Sequence, residues 1–395
     1  MAPARESASR VGARRRSPAP RPSRTARTRR ARGSTRSEVD ARRPPGEGYN
    51  CIAGASPPLS ELPPLPIEPD SSTRLLLEVG RAVVAVLDAL GPIVGRPYFK
   101  DDRSPVTSAD LAIQAAVAGV FERLAPDATL VGEEGSDALE RPGGASLLAA
   151  AAEALAALDP GIDVERAAAL VARGAGVPGD VFWALDPVDG TRGLLAGRQY
   201  STALAHIDHG RVTAALLICP RYPLVGDQGC LALARLGRGA MVRGLRTGAW
   251  RRLTVSARID RRAMRLVRSA DPSEVSLEHL RRLRRALGTE EPDAGLDGQV
   301  KYLAIAAGEA DVMIRMPRRS GAPENVWDHA AGALLVTEAG GRVSDTQGAP
   351  LDFGAGRRLD RNPGVVATNG HLHEAALEAL RKLRHANGHA AEGGG

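Results

Sequence analysis

Asp186-Pro187-Val188-Asp189-Gly190-Thr191 places two carboxylates three residues apart at the end of an apolar run, Val181–Leu185. Two such side chains can point at one cation while the Pro187-Val188 turn supplies a carbonyl. Hard divalent ions take oxygen ligands of this kind, and Mg2+ keeps some waters and accepts substrate phosphate as well. Gly190 lets the backbone approach closely, and Gly190-Thr191 opens a short helical turn whose N–H groups suit a phosphate. A capped Asx turn is the plain alternative for any DPxDG string. Five fixed letters at average residue usage arise by chance on the order of once per thousand chains or less, so the cation reading is preferred.

Three further segments offer a carboxylate beside a structural boundary. Gly132-Glu133-Glu134 follows a β-like run. Trp327-Asp328-His329-Ala330-Ala331-Gly332 opens a helical pattern, and Ser104-Pro105-Val106-Thr107-Ser108-Ala109-Asp110 opens another, preceded by Lys100 and Asp101. Alone, each has a plain meaning: an exposed acidic turn, an N-cap carboxylate favoured by the helix dipole, a capped helix start. Together they make a cluster. If Glu133, Asp186, Asp189 and Asp328 converge, their repulsion and desolvation are costly without cations. Two or three Mg2+ ions remove that cost and create a phosphate site.

The elements that must position these groups follow from periodicity. Ser72 can cap a helix to about Leu90, with Leu75, Leu76, Val79, Val83, Val86 and Leu87 on one face and Gly91 as the stop. A second helix runs from Ser108 to about Leu124. Strands are predicted at Thr129–Val131, Val181–Leu185, Ser201–Ile207, Val212–Ile218 and Leu231–Ala234, with a hairpin turn at Asp208-His209-Gly210. A basic helix at Leu277–Leu287, a helix at Val300–Ala307, a strand at Val312–Met316, a helix at Asp328–Ala339 and a strand at Val365–Ala367 complete the pattern. Mixed helices and hairpins argue for α+β layers rather than a regular βαβ series. The expected organisation is a segment 1–70, an N-terminal lobe 71–215, a C-terminal lobe 216–383 and a flexible tail 384–395.

Composition sharpens this. At 395 residues the chain can bury a sizeable core, and with aromatics at 3% that core is built from Leu, Val, Ile and Ala. Residues 1–50 hold 14 Arg against four acids, a charge of +10, so the remaining chain carries −3 of the net +7. This Arg-, Ser- and Pro-rich segment is expected to be disordered, and a Pro-rich linker, Pro57 to Pro69, follows. It reads as a plastid or mitochondrial transit peptide. An inert extension of a cytoplasmic protein and a nucleic-acid arm are the alternatives, the last weakened by the lack of interleaved aromatics. Arg is abundant throughout, so Arg counts carry little functional weight. Cys51, Cys219 and Cys230 form no CxxC, and buried thiols are preferred over a redox pair. The apolar run at 145–157 is shorter than a membrane span needs.

The string GEE…DPVDGT…WDHAAG resembles the signature set of the inositol-monophosphatase superfamily, and its 3'(2'),5'-bisphosphate nucleotidase branch in particular. The branch is suggested by Lys100-Asp101-Asp102-Arg103 before SPVTSAD-Leu-Ala-Ile-Gln114, by Gly197-Arg198-Gln199-Tyr200, by Asp297-Gly298-Gln299-Val300-Lys301-Tyr302 and by Leu351-Asp352-Phe353 ahead of Gly364–Asn369. The resemblance spans about Ser71 to Leu383. It implies a layered α/β/α/β/α sandwich, with Glu133, Asp186, Asp189 and the Val188 carbonyl as ligands of a first ion and Asp186, Asp189 and Asp328 of a second. It further implies that Thr191 hydrogen-bonds Asp110, the pair orienting an activated water for in-line attack, and that Gly190, Thr191, Asp297, Lys301 and Arg315 contact the nucleotide. The implied reaction is Mg2+-dependent removal of the 3'-phosphate of adenosine 3',5'-bisphosphate, giving AMP, with the sulfated analogue also accepted and Li+ inhibitory. The expected partner is a small nucleotide bisphosphate, with no nucleic acid and no membrane, in a monomer or homodimer. Rival readings are an inositol polyphosphate or sugar phosphate substrate, and a non-catalytic nucleotide-binding regulator. Gly298 stands where the branch has Ser, Leu194-Leu195-Ala196 where it has Phe-Leu-Arg, and the stretch Ser269–Glu274 lacks the His that the branch has there. These departures touch the substrate side and leave the carboxylates intact.

Overall fold

A computed structural model describes residues 70–91, 97–100, 104–135, 141, 143–246, 248–272, 276–317 and 321–392, with side chains to 384. The expected basic segment through residue 69, its transit-peptide reading, the Pro-rich linker, Cys51, Asp101, Asp102, Arg103 and Glu274 lie outside the described residues.

The chain enters through helix α1, Ser71–Leu90. Asp70, not Ser72, caps it, accepting from the Thr73 N–H at 2.8 Å, because Ser72 already lies within the first turn. A two-stranded ribbon, β1 (Tyr98–Phe99) and β2 (Pro105–Val106), leads to α2, Ser108–Leu124. A capping box starts α2: the Ala109 N–H donates to Thr107 Oγ1, and the Thr107 N–H donates to Asp110 Oδ2 at 2.7 Å. After β3 (Leu130–Gly132), helices α3 (Gly144–Leu155) and α4 (Val164–Ala172) pack on α2, which is buried on nearly every side. The apolar run at 145–157 is thus largely α3, and no helix among the described residues is long and apolar enough to cross a membrane.

Strands β4 (Val181–Asp189), β5 (Ser201–Asp208), β6 (Arg211–Cys219), β7 (Cys230–Arg235), β8 (Gly239–Gly244) and β9 (Arg251–Arg252) continue from β3 as one seven-stranded sheet in sequence order. Helix α5, Thr191–Leu195, lies between β4 and β5. The β3–β4 pair is parallel and the others antiparallel. His209 and Gly210, both at positive φ (48° and 74°), make the β5–β6 turn, which matches the right-handed twist of the strands it joins. The expected lobe boundary after residue 215 falls inside β6, because strand pairing carries this sheet on to Arg252.

A second sheet holds β10 (Leu266–Ser269), β11 (Ala294–Leu296), β12 (Val312–Arg315), β13 (Arg342–Ser344) and β14 (Val365–Thr368) in the order β11-β10-β12-β14-β13. Helices α7 (Val300–Ala306) and α8 (Ala330–Glu338) lie between the sheets, and α6 (Leu277–Leu287) and α9 (His373–Glu392) cover the outer face of the second. The result is the α/β/α/β/α sandwich. The expected flexible tail from residue 384 is helical as far as Glu392. Alternation along β4 shows how the layers share a strand: Trp183 and Leu185 join the α1–α4 core, while Phe182 and Ala184 join the core built on α7 and α8. Cys219 and Cys230 sit opposite each other in β6 and β7, both free and fully buried. Hydrogen bonding to Cys230 and burial hold the Cys219 thiol well up, in its protonated form.

His373, fully buried, ties β13 to β14 through Ser344 Oγ (2.9 Å) and Thr368 Oγ1 (3.0 Å). Burial, with Arg342 adding, pushes its imidazole down to about 4. The unfolded chain therefore binds the proton first, and stability falls as pH drops from about 6.5 to 4. Thermal melts of wild type and His373→Gln should show wild type losing up to about 3 kcal/mol more than the variant between pH 7 and pH 4; parallel losses would contradict this assignment.

Candidate functional site

The carboxylates are gathered by strand ends. Gly132 of β3 pairs with Leu185 of β4 in parallel, and the Glu133 N–H donates to Leu185 O at 3.0 Å. Glu133 and Asp186 therefore leave the sheet side by side. In a regular strand Asp186 and Asp189, an odd number apart, face opposite ways. Here the β4–β5 register jumps from Asp186–Ala203 to Asp189–Ser201, so β4 carries one extra residue. That bulge re-aims the strand end and brings Asp189 round to the Asp186 side.

Buried amides fix the remaining pieces. Gln114 of α2 donates from Nε2 to Glu134 O (2.6 Å) and Val171 O (2.9 Å), and its Oε1 accepts from the Glu134 N–H, which pins the segment bearing Glu133. Gln299 does the same for Asp328. Its Nε2 donates to Trp327 O at 2.8 Å, its Oε1 accepts from the Gly332 N–H at 2.9 Å, and its own N–H donates to Ser201 Oγ. Helix α8 starts at Ala330 rather than at Asp328, leaving Asp328 in the preceding turn, where Asn325 Nδ2 donates to it at 3.3 Å. Arg357 spans the two carboxylate segments: Nη2 donates to Gly132 O at 2.6 Å and the guanidinium lies 4.7 Å over the Trp327 ring.

The structure thus brings Glu133, Asp186, Asp189 and Asp328 into one electrostatic cluster. Burial, with the charges of Glu133, Asp189 and Asp328 added, drives the Asp186 carboxyl well above its ordinary value. Asp186 Oδ1 is buried without a hydrogen-bond partner among the described residues. Enclosure pushes Asp328 up to about 6, against the pull of His329, with Asp189 and Glu133 adding. Burial pushes Glu134 up to about 8, with Glu133 adding, and Asp110 up to about 7 against its hydrogen bond from Thr107. Lys100 lies 2.8 Å from both Glu133 Oε1 and Glu134 Oε1; burial draws its ammonium down, but the two carboxylates outweigh this and keep it charged. One ammonium does not balance this set. An acceptor-only cluster of carboxylate oxygens, one of them orphaned, suits a hard divalent cation.

Among the described residues, the acidic group whose ligand atoms all lie within 4.8 Å of one another is Glu324, Asp328 and His329; Glu133, Asp186, Asp189 and Asp328 are coupled electrostatically over wider spacing. Arg315 Nε occupies Glu324 at 2.9 Å, and Tyr302 Oη meets His329 Nδ1 at 2.7 Å. A guanidinium in that corner opposes a cation there, so Glu324 and His329 read as a brace for Asp328.

One expected contact is not formed. Thr191 Oγ1 donates to Val188 O at 2.9 Å, and Asp110 Oδ2 accepts from Thr107 Oγ1 and N–H, each at 2.7 Å; Thr191 and Asp110 do not hydrogen-bond each other. Each is satisfied within its own turn. Of the residues expected to face substrate, buried Asp297 accepts from Arg198 Nε at 2.7 Å, and Lys301 Nζ donates to Leu296 O at 3.4 Å. Gly298 follows Asp297 at φ +57°, and a Cβ there would lie 2.4 Å from Asp189 O. Packing against the carboxylate turn therefore accounts for glycine where serine was expected.

Comparison with known proteins bears on this arrangement. The profile described as "Inositol monophosphatase family" matches residues 83–385. A 3'(2'),5'-bisphosphate nucleotidase of Oryza sativa is 36% identical over 306 residues, covering 71% of this chain and 85% of the relative. One from Emericella nidulans is 32% identical over 341 residues, covering 78% and 96%. Among solved structures, the Thermotoga maritima IMPase superposes with a TM-score of 0.55 at 20% identity, over 80% of this chain and 97% of that one. An inositol monophosphatase from Anabaena gives 0.51 at 18%, over 79% and 94%. The structural likenesses establish the fold.

Asp110, Asp328 and Glu134 all have folded pKa values above their ordinary ones. In cation-free protein, the stability they confer is complete below about pH 4 and is lost as pH rises through 6 to 8. A divalent cation held at one concentration, about a hundredfold above its Kd at pH 8, should add about 3 kcal/mol there, and the gain in melting temperature should be smaller at pH 6, where protons compete for the carboxylates. An equal gain at both pH values, or none, would contradict the clustered-carboxylate geometry.

Proposed function

The chain belongs to the inositol monophosphatase family, among its 3'(2'),5'-bisphosphate nucleotidases, and from that premise we propose that it hydrolyses the 3'-phosphate of adenosine 3',5'-bisphosphate to give AMP, with the sulfated analogue as a second substrate and Mg2+ as cofactor. The observation that carries the proposal is the buried Asp186 oxygen, without a hydrogen-bond partner among the described residues, on which the charges of Glu133, Asp189 and Asp328 all bear. Relatives 31–36% identical that are named for this nucleotide chemistry favour it over inositol and sugar phosphates.

Glu133, Asp186, Asp189, Asp328 and the Val188 carbonyl would hold two or three ions. Magnesium held there would supply charge neutralisation at the phosphoryl group and a lowered pKa for water. The protein's own groups do the positioning. The bulge in β4 sets the two Asp side chains, and Gln114 and Gln299 hold the segments opposite them. Gly190 and Thr191, at the opening of α5, are proposed to meet the reacting phosphate. Asp110 and Thr191 are proposed to orient the attacking water, each from its own hydrogen-bonded turn. Lys301 and Arg315 are the proposed cations for the phosphate that does not react, and Asp297 the acceptor on the nucleotide side.

Asp189→Asn should keep the fold and lose about a thousandfold in kcat, the scale of several kcal/mol of charge stabilisation; near-normal turnover would refute the metal assignment. Lys301→Ala should raise KM for the bisphosphate more than for AMP-type monophosphates in a phosphate-release panel run with and without Mg2+. Equal losses would remove Lys301 from the second-phosphate site, and faster release from inositol phosphates than from the nucleotide would overturn the substrate. Li+ should inhibit.

A further inference from the structure

Arg198, three residues beyond α5, is fixed at its backbone. Its N–H donates to Gly193 O at 2.8 Å, and its carbonyl accepts from Arg221 Nη1 at 3.2 Å, with the Arg221 guanidinium 5.5 Å from the Tyr200 ring centroid. Its side chain reaches out of that frame to Asp297 Oδ2 at 2.7 Å. Asp297 follows the carboxyl end of β11 and is 3% exposed, so a carboxylate there needs a countercharge, and Arg198 provides it. Close by, Arg192 Nη1 donates to Asp271 Oδ2 at 3.1 Å, beyond the carboxyl end of β10. Two arginines from the segment between β4 and β5, Arg192 in α5 and Arg198 beyond it, thus grip two carboxylates at neighbouring parallel strand ends of the second sheet. The contact between the two parts is tight. A Cβ on Gly193 would stand 2.8 Å from Asp297 Cβ, and one on Gly298 would strike Asp189 O.

We propose that Arg198 is a positioning residue for substrate selection: it clamps Asp297 and the following Gly298 against the Asp189 turn, which sets the substrate-side acceptor at a fixed distance from the metal carboxylates. Asp297 Oδ2 is committed to Arg198, while Oδ1 makes no hydrogen bond among the described residues. The clamp leaves that one oxygen oriented as an acceptor for a substrate hydroxyl or amino group. Arg198 does not touch the carboxylate cluster itself, so its loss should weaken substrate binding and spare the chemical step. The proposal rests on the nucleotidase reading for its choice of substrate, but the clamp has a readout of its own.

In the full chain with Mg2+, Arg198→Ala should raise KM for adenosine 3',5'-bisphosphate about tenfold with kcat within about twofold, the loss of one charge-assisted hydrogen bond. Arg198→Lys, which keeps the charge, should recover to within about threefold of the wild-type KM. Adding Asp297→Asn to Arg198→Ala should cost little more than either change alone, because both break one interaction. Independently of activity, amide hydrogen exchange in the segment 296–300 should quicken several-fold in Arg198→Ala while β4–β6 peptides keep their wild-type rates. Unchanged KM and unchanged exchange would overturn the clamp, as would a fall in kcat accompanied by weaker Mg2+ affinity, which would place Arg198 in the metal centre. If Arg198→Ala does not fold, Arg198→Lys and Asp297→Asn carry the same comparison. If wild type releases no phosphate from the bisphosphate, the substrate reading fails, and the exchange measurement alone decides the clamp.

Discussion

The structure turns on the burial of one carboxylate among others. Asp186 is 2% exposed, one of its oxygens has no partner among the described residues, and Glu133, Asp189 and Asp328 all bear on it. Isolated charges are not buried at this density unless something repays the desolvation. Lys100 repays part of it for Glu133 and Glu134. The remainder is an invitation to divalent cations, and the surrounding architecture holds that invitation open. Gln114 and Gln299 spend buried amides on backbone groups beside the cluster, and the β4 bulge aims two carboxylates at one place.

A common layout underlies these details. Glu133 follows the end of β3, Asp186 and Asp189 end β4, Asp271 and Asp297 follow β10 and β11, and Arg315 ends β12. Ligands in open α/β sheets sit outside the carboxyl ends of strands, and in this sandwich both sheets contribute such ends. The layer of α7 and α8 between the sheets joins the two sets through Gln299, which bonds both the start of β5 and the start of α8. The geometry therefore couples the carboxylates proposed to hold metal, at the strand ends of the first sheet, to the charges proposed to meet substrate at those of the second, and Arg198 and Arg192 cross between them.

Much of this was legible in the sequence. Helices α2 and α6 end where periodicity and capping residues place them, and the Asp208-His209-Gly210 turn forms as its residue types require. The electrostatic coupling of Asp186 and Asp189 was readable because they lie in one short string, although a bulged strand and not a turn separates them. What escaped has physical reasons. The bulge is visible only against the partner strand, so the apolar run alone predicts an end at Leu185 where β4 continues to Asp189. Residue type does not separate Asp70 from Ser72 as a cap, and only the Thr73 N–H bond decides for Asp70. Gln114 and Gln299 lay in quoted strings, but nothing local marks a buried amide as a brace. Arg198 and Arg357 were hidden by arginine's abundance, and only their partners, Asp297, Gly132 and the Trp327 ring, distinguish them. The Thr191–Asp110 bond, carried over by resemblance, failed because each group finds a nearer partner.

The most direct test of the central claim is the position of bound cations. Crystals grown with Mn2+ in place of Mg2+, measured for anomalous scattering, should show peaks within about 2.3 Å of carboxylate oxygens of Asp186 and Asp189, with Glu133 and Asp328 completing the shells. Peaks confined to other acidic residues, or a site whose Asp186 carboxylate is met by protein donors instead of metal, would contradict the account.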